Sequence, residues 1–223
     1  MPRLFLALDP PFRVRDALSS LQDDLPEARW TPYDQLHLTL RFVGQVDAAA
    51  QRRIIEALDR VECDPFEIGV AGVGHFPPRR SPRVLWAGVD QCDALLRLRD
   101  RVEAALSRAG INRDGRKYHP HFTLARLDRG HEPRVADYLE RHSLARVAPF
   151  VVRAFHLYSS ILRPDGASHF REQTWRLGEP GPAPDDDEFD ESGPFEDEPD
   201  EPDEPDEPDE PDEPDEPDEV SPA

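Results

Sequence analysis

Two tetrapeptides of this chain have residue types and spacing suited to chemistry: His37-Leu38-Thr39-Leu40 and, 84 positions later, His121-Phe122-Thr123-Leu124. Side chains on a β-strand alternate between its faces. On a strand, His and Thr of each copy therefore share one face, and Leu38 and Leu40, or Phe122 and Leu124, turn toward a core. The polar face presents an imidazole and a hydroxyl roughly 6.5–7 Å apart along the strand. A pseudo-twofold axis relating the copies would set the two pairs against each other across a cleft. Two imidazoles flanking one centre suit a proton-shuttling displacement. One takes a proton from the nucleophile and the other gives one to the leaving oxygen. An ordinary imidazole pKa of about 6.5 keeps both forms populated near neutrality. Two threonine hydroxyls can donate to the non-bridging oxygens of a phosphate held between the copies.

These motifs need strands and helices to carry them. Alternation predicts a strand over 3–9, and Val14, Leu18, Leu21 and Leu25 predict a helix over 11–25. Strands are expected over 35–43, 65–74, 82–90, 118–127, 149–162 and 169–177. Helices are expected over 47–62, with Asp47 as N-cap, over 93–109, ended by Gly110, and over 133–143. Each half holds a strand, a helix and one motif, a weak internal duplication. The mixture predicts an α+β fold with largely antiparallel sheets.

Composition divides the chain. The formal charge is -20, yet residues 179–223 hold 24 acids and no Lys or Arg, leaving 1–178 at +4. From Asp197 to Pro217 the triplet Asp-Glu-Pro repeats seven times. Proline removes a backbone donor, the carboxylates repel, and no apolar face offsets the ordering entropy. Residues 179–223 are therefore expected to be a disordered, extended tail behind a 1–178 domain of two lobes. Solubilising the chain, competing with a polyanionic ligand for the basic body, or binding a basic partner are the roles open to it.

No apolar run approaches the ~18 residues of a membrane span. The apolar stretch Leu4–Leu8 ends at Asp9-Pro10-Pro11, too short for a signal peptide. Cys63 and Cys92 have no metal or redox spacing, which predicts a cytoplasmic protein. His119-Pro-His121 supplies two ligands with no local carboxylate or cysteine, so no metal site is expected.

The paired motifs resemble those of the 2H phosphoesterase superfamily. More narrowly, the chain is similar to the RNA 2′,3′-cyclic phosphodiesterases of the bacterial and archaeal 2′-5′ RNA ligase-like family. The resemblance spans about 1–178. It rests on Arg3-Leu-Phe-Leu-Ala-Leu8, Trp30, His37-Leu-Thr-Leu-Arg-Phe-Val-Gly44, Gly72-Val-Gly-His-Phe-Pro77, Val84-Leu-Trp-Ala-Gly-Val89, Pro120-His-Phe-Thr-Leu-Ala-Arg126 and Leu157-Tyr-Ser-Ser160. It implies a bilobal pseudo-twofold duplication, with two antiparallel sheets flanking a central cleft and helices outside. It also implies opening of terminal 2′,3′-cyclic phosphates to 2′-phosphates without metal or nucleotide cofactor, and in some members 2′-5′ joining or cleavage of RNA.

The family pattern makes His37 and His121 the catalytic pair, with His37 favoured as acid and His121 as base, although the order can be reversed. Thr39, Thr123 and Arg126 become the phosphate-binding residues. Simple alternation puts Arg126 on the face opposite His121, so it must reach the cleft from the strand end or across a bulge. Arg41 shares the face of His37 by parity and is a candidate RNA contact, as is Phe42 by stacking. The expected partner is RNA with a cyclic phosphate end or a small cyclic nucleotide, met by a monomer without a membrane. Two alternatives stand beside this: another small cyclic or 2′-5′ phosphodiester as substrate, and an RNA-binding module without turnover.

Overall fold

The computed structural model of the chain describes residues 3–23, 25–26, 28–77, 81–127, 132–163, 166–178 and 195–196. The strands are β1 (Arg3–Leu8), β2 (Ala28–Trp30), β3 (Leu38–Gln45), β4 (Phe66–Phe76), β5 (Val84–Val89), β6 (His121–Leu127), β7 (Arg146–Val152), β8 (Ala154–Arg163), β9 (Gly166–Arg176) and β10 (Phe195–Glu196). The helices are α1 (Phe12–Ser19), α2 (Ala48–Leu58), α3 (Asp93–Arg108) and α4 (Glu132–Arg141), and a 3-10 turn covers Tyr33–Gln35. No helix among the described residues is long and apolar enough to cross a membrane.

All strand pairs are antiparallel, in the order β10-β9-β8-β1-β3-β6-β5-β4-β7, with β2 beside β6. Without β10 this order reads alike from either end: β9 matches β7, β8 matches β4, β1 matches β5 and β3 matches β6. The two lobes meet where β3 touches β6, through Leu38 opposite Phe122. The halves of the sequence also exchange strands. β4, from the first half, pairs with β5, and β8, from the second, pairs with β1.

Helices cover one face of this path. Leu4, Leu6 and Leu8 of β1, Leu38 and Leu40 of β3, and Phe122 and Leu124 of β6 are at most 2% exposed. They share a core with Val14 and Leu18 of α1, Ile54 and Leu58 of α2, and Leu98, Val102 and Leu106 of α3. Burying each such side chain contributes about 1.5–3 kcal/mol. The other face of β1 carries Phe5 and Ala7, which pack with Tyr158 in a separate small cluster. This second face is the cleft.

The α+β antiparallel architecture is as the sequence implies, while several boundaries differ. α1 stops at Ser19, because the Ser20 hydroxyl donates back to the Asp16 carbonyl (2.9 Å) and Leu25 precedes a proline. Leu25 is buried all the same, at 1% exposure. The strand expected from 35 begins only at Leu38, since the 3-10 turn after Pro32 takes up its start. The strand expected from 118 begins at His121, immediately after Pro120, which has no N–H to offer a ladder. The strand expected over 149–162 is two strands. The chain leaves β4 at Val152, and β8, from Ala154, pairs with β1 from His156 onward. β2 escapes the periodicity because it has only three residues. As expected, the Asp47 carboxylate caps α2, accepting from the Ala50 N–H at 2.7 Å. The expectation of a disordered tail falls outside the described residues except at β10, which pairs with Ser168 and His169 of β9.

Candidate active site

The Leu38–Phe122 pairing carries the motifs to the seam between lobes. One residue further out, the antiparallel sense sets His37 alongside Thr123 and Thr39 alongside His121. Carried one residue to either side, that register sets the two histidines at diagonal positions across the seam. His37, Thr39, His121 and Thr123 are all half-buried, and the residues between them are in the core.

Both imidazoles are held in the same way. His37 Nδ1 lies 2.7 Å from the carbonyl oxygen of Gln35, and His121 Nδ1 lies 2.7 Å from that of His119. A carbonyl oxygen only accepts, so Nδ1 must carry the proton in each ring. That fixes the neutral tautomer with its lone pair on Nε2, the nitrogen remote from the backbone. Each ring can then take up or release a proton at Nε2 without losing its anchor.

Aromatic rings wall both histidines, a feature the sequence motifs do not contain. The His37 ring packs on Phe5 (5.2 Å) and His169 (6.0 Å), and Phe5 meets His169 edge-on at 4.8 Å. His121 packs on Phe76 (5.1 Å) and Trp86 (6.3 Å), and both of these contact His119. Gly74 makes the second wall achievable: a Cβ there would fall 2.1 Å from Trp86 Cζ2, so only glycine lets the indole lie across β4. Burial and the neighbouring His37 lower the His169 pKa to about 3, so this ring is neutral at physiological pH.

Two bulges decide which arginine enters the cleft. Between β5 and β6, Trp86 faces Thr123 but Leu85 faces Ala125, so Leu124 is an extra residue. Leu124 and Ala125 are both buried, and alternation resumes with Arg126 on the face of His121 and Thr123. Of the two routes expected for Arg126, the bulge is the one taken. Between β1 and β3, Ala7 faces Thr39 but Leu6 faces Arg41, so Leu40 is extra in the same way. Here the bulge corrects the sequence-based expectation, which placed Arg41 on the face of His37. Arg41 instead turns to the helix side. Its Nε lies 2.7 Å from Glu103 Oε1 on α3 and its Nη2 donates to the Asn112 carbonyl at 2.7 Å. Phe42 takes the cleft position, 40% exposed, with its ring 5.8 Å from Phe5.

His142 and His156 find partners the sequence does not reveal. His142 Nε2 meets Asp23 at 2.9 Å. His156 Nδ1 meets the Thr174 hydroxyl at 2.9 Å, and its Nε2 lies 3.7 Å from Asp9 Oδ2. Asp9 also accepts from the Tyr158 hydroxyl (2.8 Å) and from Arg171 (2.6 Å). Burial pushes the Asp9 carboxyl up, but His156, Arg171 and Tyr158 together hold it below the usual range. His131 lies outside the described residues. Among the described residues, no group of three or more His, Cys, Asp or Glu side chains is arranged to hold a metal ion.

Two His-x-Thr-x copies meeting at a pseudo-twofold seam define the two-histidine class of phosphoesterase. The model of the LigT like phosphoesterase family matches the chain twice, over residues 8–86 and 88–167, once for each half. Among curated proteins, the RNA 2′,3′-cyclic phosphodiesterase of Archaeoglobus fulgidus is 36% identical over 167 residues, covering 74% of this chain and 94% of that protein. The RNA 2′,3′-cyclic phosphodiesterase of Thermotoga maritima is 33% identical over 170 residues, covering 74% and 89%. Among solved structures, E. coli LigT complexed with 3′-AMP superposes with a TM-score of 0.66 at 26% identity, covering 79% of this chain and 99% of that one. The chain belongs to the LigT like phosphoesterase family.

Proposed function

We propose that the protein hydrolyses RNA 2′,3′-cyclic phosphate ends to 2′-phosphomonoesters, with His37 and His121 as acid and base. The curated relatives carry that activity in their names. The observation that carries the reading is the shared anchoring of the two rings, each fixed at Nδ1 by a carbonyl two residues upstream. That arrangement supports proton transfer at Nε2 on both sides of one phosphorus.

In this mechanism His121 Nε2 accepts a proton from water as the water oxygen attacks phosphorus. The P–O3′ bond breaks in line, and His37 Nε2, protonated beforehand, delivers its proton to O3′. Thr39 and Thr123 donate to the non-bridging oxygens, and Arg126 offsets the charge that builds there. A ribose 5′-hydroxyl in place of water yields a 2′-5′ linkage by the same steps. Phe42 offers its exposed ring to a base. The site is complete within one chain, which supports a monomer as the working unit. The free thiols of Cys63 and Cys92 support a reducing, cytoplasmic setting.

The test is to incubate the full chain, with chelator present, with an oligonucleotide ending in a 2′,3′-cyclic phosphate and to follow the product by phosphorus NMR. A 2′-phosphate is expected. A 3′-phosphate, or no turnover at any pH between 5 and 9, defeats the proposal.

A further inference from the structure

The two lobes share little ladder. Among the described residues, β3 and β6 pair only at Leu38 and Phe122. The spacing of Thr39 from His121, one residue further out, is therefore not set by a continuing strand pair. Another bond across the seam has to set it.

One such bond is present. The Tyr118 hydroxyl donates to the Thr39 carbonyl at 3.1 Å, joining residues 79 positions apart. Tyr118 stands next to His119, whose carbonyl lies 2.7 Å from His121 Nδ1 and anchors that ring. Pro120, between the two histidines, has its φ fixed by its own ring. A short, stiff segment therefore connects the phenol to the anchor of His121. On the β3 side, the bond grips the peptide between Thr39 and Leu40, the bulged residue of the first motif.

The phenol is itself held. Arg99 of α3 lies over its ring, 4.8 Å from the centroid, and Arg99 Nη2 donates to Glu103 Oε1 at 3.4 Å. Burial pushes the Tyr118 pKa up, against a weaker downward pull from Arg99, so the hydroxyl keeps its proton near neutrality. At the other end of the seam the main chain makes the tie. The Thr31 N–H donates to the carbonyl of Leu124, the bulged residue of the second motif, at 2.9 Å. Each motif is thus bound at its bulge to the opposite half of the sequence, one through backbone and one through a phenol.

We propose that Tyr118 is a positioning residue for the reaction, its hydroxyl setting the Thr39 clamp at its working distance from His121. This rests on the reading of Thr39 as a phosphate clamp given above. Tyr118 acts through Thr39 and not on the substrate. Holding the Thr39–Leu40 peptide lets the Thr39 hydroxyl meet a non-bridging oxygen while His121 Nε2 faces the attacking water. Such placement matters steeply, since a shift of about 1 Å can cost about 100-fold in rate.

Tyr118→Phe in the full chain deletes the bond and keeps the ring under Arg99. On adenosine 2′,3′-cyclic phosphate, kcat should fall about tenfold and KM stay within about twofold, because the loss falls on the transition state. The urea midpoint should drop only slightly, as for one neutral hydrogen bond. A Thr39→Ala background separates positioning from a structural role. It keeps the carbonyl at position 39, and so the bond, but has no hydroxyl to place. There Tyr118→Phe should lower kcat by less than about twofold, with the same small effect on the urea midpoint. An unchanged kcat in the single variant, or equal losses in both backgrounds, overturns the proposal. If the wild type turns over no cyclic phosphate, the RNA-end reading is what has failed, and amide hydrogen exchange decides the tie. Exchange at Leu40 and Arg41 should speed up about tenfold in Tyr118→Phe, with Leu124 and Ala125 unchanged. Equal rates at Leu40 and Arg41 in the two proteins overturn it.

Discussion

Leu40 and Leu124 are each the extra residue of a β-bulge, at matching places in the two halves of the chain. Each follows the threonine of its motif, so the duplication extends past the tetrapeptides to a backbone irregularity. A bulge adds one residue to one strand, and every side chain beyond it changes face. The residue after each bulged leucine, Arg41 or Ala125, therefore turns toward the helices, and the next one, Phe42 or Arg126, turns into the cleft.

Arg41 and Phe42 should accordingly behave in opposite ways. The Arg41 side chain is 10% exposed and Glu103, its partner, is 7% exposed. Arg41→Ala leaves a buried carboxylate supported, among the described residues, only by Arg99 at 3.4 Å. The expected cost is about 3 kcal/mol in urea unfolding, with kcat/KM on a cyclic-ended oligonucleotide within about threefold. Phe42→Ala should cost little stability, because its ring is already 40% exposed, but should weaken oligonucleotide binding about tenfold through lost stacking. Lost activity without lost stability in Arg41→Ala would return that arginine to the RNA-binding face.

For the two histidines, single replacements by alanine should each lower kcat by about 10²–10⁴ with unfolding midpoints unchanged. The double variant should be scarcely worse than either single one, because the two groups act as a unit. The rate should follow a bell-shaped pH curve that reports the coupled pair rather than either ring. Thr39→Ala and Thr123→Ala should each lower kcat by about 10², and serine at either position should restore most of it. Near-normal turnover in both histidine variants would rule out this mechanism.

What was legible in the sequence follows from what a strand pattern encodes. The motif histidines and threonines could be placed because alternation needs only neighbouring residues, and their leucines and Phe122 are in the core as alternation requires. Arg41 was misplaced because a bulge is a property of two paired strands, and β1 pairs with β3 across some thirty residues of chain. The ring walls were hidden for a related reason. Phe5, Phe76, Trp86 and His169 reach the motif histidines from strands far apart in sequence. Gly74 lies within Gly72-Val-Gly-His-Phe-Pro77, but its purpose depends on an indole from the next strand.

Stability should fall on mild acidification, and two buried histidines set the range. His156 and His169 both have pKa values lowered by burial, against a weaker opposing pull from Asp9 on the former and a supporting push from His37 on the latter. Below about pH 6.5 the unfolded chain binds protons that the folded chain refuses, so stability declines as pH drops. Each ring contributes at most about 1.4 kcal/mol per pH unit, for His169 down to a pH of about 3. Asp9 acts later. Its folded pKa lies below the unfolded value of about 3.9, so its contribution persists above that pH and is lost as pH falls through the folded pKa. Urea unfolding of His169→Gln should therefore lose less stability between pH 7.5 and 5 than the wild type, by up to about 2 kcal/mol. Parallel pH dependence in the two proteins would show that His169 does not resist protonation.

The acidic segment supplies a last test. Residues 179–223 bring 24 acids to a body of charge +4, and the one stretch of them that is described, β10, pairs with β9 at His169, the ring beside His37. A polyanion tethered at the edge of the lobe holding His37 competes with RNA for the same arginines, and salt screens that competition over about 10 Å at 0.1 M. Removing 179–223 should lower KM for a cyclic-ended oligonucleotide several-fold at 20 mM salt. The difference should vanish by 300 mM, and KM for a cyclic mononucleotide should scarcely move at either salt. Equal KM values for truncated and full chains at low salt would leave the tail only its effect on solubility, measured as the concentration at which each form precipitates.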